Sequence, residues 1–324
     1  MYQTASWEPM LRAHRNRKLR DSIIVLMYHE VAEDDHDIEA WTVVKKSDFV
    51  KQMEYIHDTF QVVSLDEAFQ QIENVQAIHK PTAVITFDDG YAGNKHIVLP
   101  LAKSMKIPVT IFVSTRAVQE QNVYWYDRLI RALQGEKVIN VDLEHILLSR
   151  YCINRSKGSK NWAEIERLLR DLKTLVPSSR ESIVADIIAD LRGLTESDPH
   201  AMAPLTLSDL HELADCPLIT IGAHSHCHNI LTQLSKEEIT KSIQTSKALL
   251  ESWIKRPVSY FAYPNGNYND MVVSSLKESG FKCSLTTVSR PWKRGDSYFT
   301  IPRIGIGRYD SLDYFKIKIS GGLY

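Results

Sequence analysis

The stretch Val84-Ile85-Thr86-Phe87-Asp88-Asp89-Gly90 runs a mostly apolar segment into two adjacent carboxylates. Bounded by Pro81 in front and Gly90 behind, the segment reads as a core strand of a parallel sheet. Side-by-side acids at the end of such a strand repel each other unless a cation sits beside them. The rest of the chain must then bring a positive charge to this point.

Size and composition leave room for it. The chain has 324 residues, 44% hydrophobic and 24% charged, enough for a sizeable core. A formal net charge of -1 points away from nucleic acid and membrane surfaces as partners. A neutral or small-molecule partner fits better. Cys152, Cys216, Cys227 and Cys283 are scattered without a CxxC pair, which argues against a disulfide framework or a zinc knuckle. The first residues, MYQTASWEPMLRAHRNRKLRD, are polar and basic where a secretory signal would be apolar, and no run reaches the ~18 apolar residues of a membrane span. A cytoplasmic protein is the expectation.

Outward from Val84, strand-like runs recur at Ile23 to Met27, Gln61 to Ser64, Val109 to Val113, Leu218 to Ile221, Val258 to Ala262, Lys282 to Thr286 and Phe299 to Ile304. Helical patterns alternate with several of them, at Lys46 to His57, Asp66 to Gln76, Asn94 to Met105, Lys236 to Trp253 and Asn269 to Ser279. Alternation of this kind predicts an α/β fold with parallel strands, either an open sheet or a (β/α) barrel, whose chemistry lies at the C-terminal ends of the strands. Residues from about Val118 to Leu205 break the rhythm: they are charged and helix-rich, without a convincing strand. They read as a helical insertion in a single domain spanning 1–324 and packed on one side of it, because no Gly/Pro/Ser-rich connector flanks them. Within the insertion, Tyr124-Trp125-Tyr126-Asp127 reads as core packing more readily than as a sugar platform.

The cation for the acid pair has a candidate source in Ile221-Gly222-Ala223-His224-Ser225-His226-Cys227-His228, a second apolar run ending in polar residues. Histidines four apart meet if the chain turns helically, at ~5–6 Å between Cβ atoms. Fully extended they would stand ~13 Å apart, so a bend must follow the strand. One carboxylate and two imidazoles make a three-ligand set that leaves positions open, as catalytic divalent sites do, those of zinc especially. A second acid held close by could then take a proton.

Thr86-Phe87-Asp88-Asp89-Gly90 resembles the first motif of the polysaccharide deacetylases, the family 4 carbohydrate esterases. His224-Ser225-His226-Cys227-His228 is similar to the family's H-[ST]-x-x-H motif, and Phe261-Ala262-Tyr263-Pro264-Asn265-Gly266 to its segment ending in Pro-x-Gly. The resemblance implies a distorted (β/α)₇ barrel, and a metal held by Asp89, His224 and His228. It further implies Asp88 as general base, the backbone N–H of Asn265 at the oxyanion, and hydrolysis of an N-acetyl group on a saccharide substrate.

Two departures from that pattern matter. The family's C-terminal general-acid histidine is missing, since no histidine follows His228. Instead Ile23-Ile24-Val25-Leu26-Met27-Tyr28-His29 is an apolar strand that ends in one. First and last strands are neighbours in a closed barrel, so moving that strand to the N-terminus keeps the histidine in place. The arrangement resembles the permuted, biofilm poly-N-acetylglucosamine deacetylase branch. His29 is thus the expected acid, with His226 as rival; an i+2 residue points away from an i, i+4 face. The second departure is Ala262, where many relatives carry an arginine that orients the catalytic acid; Arg303 is the candidate replacement. These departures keep open a hydrolase of another, non-sugar amide or imide, and a non-catalytic carbohydrate-binding relative.

Overall fold

A computed structural model describes residues 7–36, 38–73, 81–134, 139–143, 149–153, 159–191 and 202–321. The chain divides into two compact units: one holds the residues up to Asp34, Trp41–Gln121 and the chain from Pro204 on, the other Asp35–Ala40 and Asn122–Ala203.

In the larger unit the expected apolar runs form the strands β1 (Ser22–Tyr28), β4 (Gln61–Val62), β5 (Thr82–Phe87) and β6 (Val109–Val113), and the stretch after β1, which reads as a polar loop, adds the short parallel pair β2 (Glu30–Ala32) and β3 (Val43–Lys45). The smaller unit holds the antiparallel pair β7 (Ile139–Leu143) and β8 (Ser149–Ile153). The larger unit resumes with β9 (Ile219–Ala223), β10 (Tyr260–Ala262), β11 (Cys283–Leu285), β12 (Trp292–Lys293) and β13 (Ile304–Gly305). The main sheet runs β11-β10-β9-β6-β5-β1, with β4 beside β5 and both β12 and β13 on β1. Every pairing in it is parallel except β1 with β12.

Residues 301–305 close this sheet on itself. Ile301 bridges Leu285 at one edge, and Ile304–Gly305 pair with Leu26 and Met27 on the other side. Phe299 to Ile304 is therefore no continuous strand; Pro302 lacks the N–H that a ladder needs there, and the segment changes partners across it. The result is a curled parallel sheet, a distorted (β/α)₇-like barrel. Its strands bury both faces: Ala83, Ile85 and Phe87 of β5 join one apolar cluster and Val84 the other. Hence the sequence of β5 is mostly apolar and not alternating.

Helices fall close to their expected spans. Lys236–Ile254 opens with a capping box in which the Ser235 hydroxyl accepts from Glu238 N and the Glu238 carboxylate from Ser235 N. Leu65–Glu73 matches the expected Asp66 pattern, whose residues 74–76 lie outside the described ones. Asn94–Val98 is a π-helix turn before the helix Leu99–Met105. No described helix is long and apolar enough to cross a membrane.

The smaller unit differs from expectation in its β7–β8 pair, which Ile139-Asn140-Val141-Asp142-Leu143 signals only by a short alternation. Its described helices are Trp125–Leu133, Ser159–Leu172 and Pro177–Leu191. Tyr124 and Trp125 are buried, and the Arg180 guanidinium lies 4.9 Å from the Trp125 ring centroid. These aromatics pack as core residues, as read from the sequence.

Candidate active site

Parallel register carries the site residues to one rim. Tyr28 pairs with Phe87, and Asp88 N donates to the Tyr28 carbonyl at 2.9 Å, so His29 and Asp88 leave neighbouring strands side by side. β9 contributes next to β6, with Val113 opposite Ala223 and His224 N donating to the Val113 carbonyl.

At the end of β5 the backbone turns sharply. Asp89 sits at φ 73 and Gly90 at φ 78, two successive residues in the left-handed region. Glycine tolerates this; for Asp89 it is strain of the kind found at functional sites. After β9 the chain bends at Ser225 (φ 65) and His228 (φ 54), and the Ser225 hydroxyl accepts from His228 N at 3.0 Å. The two histidines therefore meet across a left-handed loop and not on a helical turn, with ring centroids 4.8 Å apart. Ser114 secures that loop by donating its hydroxyl to the His224 carbonyl at 2.7 Å.

The ligand atoms of Asp89, His224 and His228 all lie within 4.8 Å of one another. Asp89 Oδ1 is 3.3 Å from His224 Nε2 and 3.0 Å from His228 Nε2, and the two Nε2 atoms are 3.1 Å apart. Three donors so close match the edges of a coordination tetrahedron, which are about 3.3 Å for bonds near 2.0 Å. The outer contacts suit the same role: His224 Nδ1 faces the Ala262 carbonyl at 2.8 Å, so a proton on Nδ1 leaves the Nε2 lone pair aimed at the cluster. Asp89, His224 and His228 are thus a donor set fit for a divalent ion.

Asp88 stays outside that set. Its two oxygens each accept an Arg303 N–H at 2.7 Å, a bidentate pair with Arg303 fully buried. Arg303 Nε donates to the Thr286 carbonyl, and Nη1 also to the Thr86 hydroxyl, which passes its own proton to the Leu26 carbonyl. Burial pushes the Asp88 carboxyl up, but Arg303 and the nearby imidazoles outweigh it and hold it below its usual range. Asp89 is likewise raised by burial and brought well below its usual range by His228 and His224. Asp88 and Asp89 in turn raise His224 against its burial.

His29 faces the same acids. Burial lowers its pKa, opposed chiefly by Asp89 and Asp88. His226 turns elsewhere: its Nδ1 is 2.9 Å from the Thr115 hydroxyl, and the charges that act on it are Arg116, Glu120 and Lys241. Asn265 lies just past Ala262 in a left-handed conformation (φ 58), its exposed side chain donating to Asn267 Oδ1. Sequence reading missed the contributions of Thr86, Ser114 and Ser225; a hydroxyl residue at or beside a strand end was the available signal.

Comparison with known proteins agrees with this geometry. A family model described as polysaccharide deacetylase matches residues 75–171 and 199–284, more than half of the chain. The Bacillus subtilis (strain 168) protein YxkH, itself assigned to the polysaccharide deacetylases, is 19% identical over 283 residues, covering 87% of this chain and 70% of its own. Among solved structures, the Streptococcus pyogenes deacetylase PplD in complex with acetate superposes with a TM-score of 0.60 at 17% identity, over 92% of this chain and 98% of its own. A de-N-acetylase from Aggregatibacter actinomycetemcomitans gives 0.58 at 15% identity, over 92% and 99%. These two likenesses speak for the fold, and the match of the family model over both motif-bearing segments assigns the lineage: the chain belongs to the polysaccharide deacetylase family.

Proposed function

We propose that this protein is a divalent-metal-dependent hydrolase that removes the N-acetyl group from a sugar of a polysaccharide or glycan precursor. The observation that carries the reading is the convergence of Asp89, His224 and His228 on one point, beside an acid, Asp88, that is held ionised but not part of the set. The deacetylase and the de-N-acetylase whose folds this chain resembles support the same reaction class. Two imidazoles and one carboxylate favour zinc over magnesium or calcium, which prefer all-oxygen sites.

When bound, the cation would supply Lewis-acid polarisation of the acetamide carbonyl and acidify the attacking water. The remaining steps belong to side chains. Asp88, kept as carboxylate by Arg303, accepts the proton of the water through its remaining lone pairs. The backbone N–H of Asn265 meets the carbonyl oxygen as it gains charge, a contact worth about 3–4 kcal/mol for a well-placed donor. His29, just past the end of β1, donates a proton to the departing amine, which cannot leave as an anion at neutral pH. Acetate and a free amino sugar result.

The test is acetate release from small N-acetylated sugars by purified protein, with and without a chelator. Release that stops on chelation and returns with zinc supports the reading; no release with zinc present, or release indifferent to the chelator, rejects it.

A further inference from the structure

A proton donor must be held at a fixed angle, and an imidazole is ordinarily aligned by a hydrogen bond on its second nitrogen. His29 lacks that bond: its Nδ1 is buried and has no hydrogen-bond partner among the described residues. The ring must be fixed by other means, and the surroundings of His29 supply two.

The first acts on its backbone. Asn94, wholly buried, donates Nδ2 to the His29 carbonyl at 2.9 Å. The buried carboxyl of Glu30 accepts from Val31 N at 2.8 Å and from the N–H of Gly93. A Cβ on residue 93 would stand 2.0 Å from Glu30 Oε1 and 2.1 Å from the Val31 carbonyl, so only a bare backbone can approach this closely. The end of β1 is thereby stapled to the turn that follows Asp88 and Asp89.

The second acts on the ring. Trp41 meets the His29 imidazole edge-to-face, with centroids 5.7 Å apart and planes at 70°. Its indole fills the space that side chains at Gly305 and Gly307 would need: their Cβ atoms would lie 3.0 Å and 2.2 Å from it. Trp41 is thus wedged between the end of β1 and the strand that closes the barrel.

We propose that Asn94, Glu30 and Trp41 are positioning residues that aim His29 at the substrate nitrogen, a task for which Nδ1 has no hydrogen-bond partner among the described residues. The inference rests on the reading of His29 as the proton donor of a deacetylase. Asn94 acts on the His29 carbonyl, Trp41 on its ring, and Glu30 on the backbone of Val31 and Gly93 that flanks them.

The experiment pairs steady-state acetate release with NMR of ¹³C-labelled histidine rings, the His29 signals being assigned by their loss in His29→Gln. Asn94→Ala and Trp41→Ala are expected to lower kcat about 10- to 100-fold with KM within about two-fold, as for a donor displaced by ~1 Å. Both should also shift and broaden the His29 ring signals. Trp41→Phe and Glu30→Gln keep the ring contact and the acceptor oxygen, and should hold kcat within about three-fold of the parent, whereas Glu30→Ala should not. Glu30→Gln is isosteric and Trp41→Phe keeps an aromatic ring, so the answer does not depend on the folding of the alanine variants. Unmoved His29 signals in Asn94→Ala and Trp41→Ala, or a raised KM at unchanged kcat, would overturn the proposal. If the parent protein releases no acetate, the hydrolase reading fails, and the NMR signals alone decide whether these residues hold His29.

Discussion

Arg303 and Asp88 stand 215 residues apart in sequence and face each other through two N–H···O bonds of 2.7 Å. The arginine reaches the acid from just before β13, a different strand from the one that carries Ala262. Both partners are buried, so removal of one strands the other in a low-dielectric site. Arg303→Met is expected to cost about 3–5 kcal/mol of stability at neutral pH. The sign of the pH effect follows from the depressed pKa of Asp88: its contribution is present above the unfolded value, ~3.9, and is lost as pH falls through the native one. In the variant burial acts with less opposition, so the acid limb of kcat/KM moves to higher pH. Denaturant melts and a pH–rate profile check both; an unmoved acid limb would show that Arg303 does not tune Asp88.

The two histidine candidates for proton donor separate cleanly. His29 is electrostatically coupled to Asp88 and Asp89, whereas His226 engages Thr115 and the charges of Arg116, Glu120 and Lys241. His29→Gln is expected to lower kcat by about 10²–10⁴-fold, the usual yield of a general acid, with zinc affinity unchanged. His226→Ala is expected to leave kcat within about three-fold of the parent. The reverse pattern would transfer the role to His226.

Glu30 gives a pH signature of its own. Burial raises its carboxyl to about 8, against the two backbone N–H bonds that favour the charged form. The native state then holds this proton more tightly than the unfolded chain, so stability falls as pH rises between about 4.5 and 8. Glu30→Gln removes the titration and should flatten that slope in thermal melts across the range. Parallel pH slopes in parent and variant would contradict it.

Much of this was legible in the letters because strand register and motif chemistry are local. Val84 to Gly90 announces both a two-sided buried strand and a charge problem, and His224 to His228 announces its solution. The link between them is not local. That His29 lies beside Asp88 depends on β1 pairing with β5, and that Arg303 reaches Asp88 depends on where the barrel closes after Pro302. The loop geometry was also hidden, since φ values of 65 at Ser225 and 54 at His228 have no glycine to advertise them. The β7–β8 pair went unread because five-residue strands in a charged, helix-rich segment carry too few apolar positions for period two to stand out.

The gathering of Asp89, His224 and His228 within 4.8 Å makes a binding site that zinc titration of metal-free protein by calorimetry can measure. Saturable binding of one zinc per chain is expected, weakened at least about 100-fold by Asp89→Ala, His224→Ala or His228→Ala and unchanged by His226→Ala. A chain that binds no zinc, or binds it equally well after any of the three ligand substitutions, would contradict it.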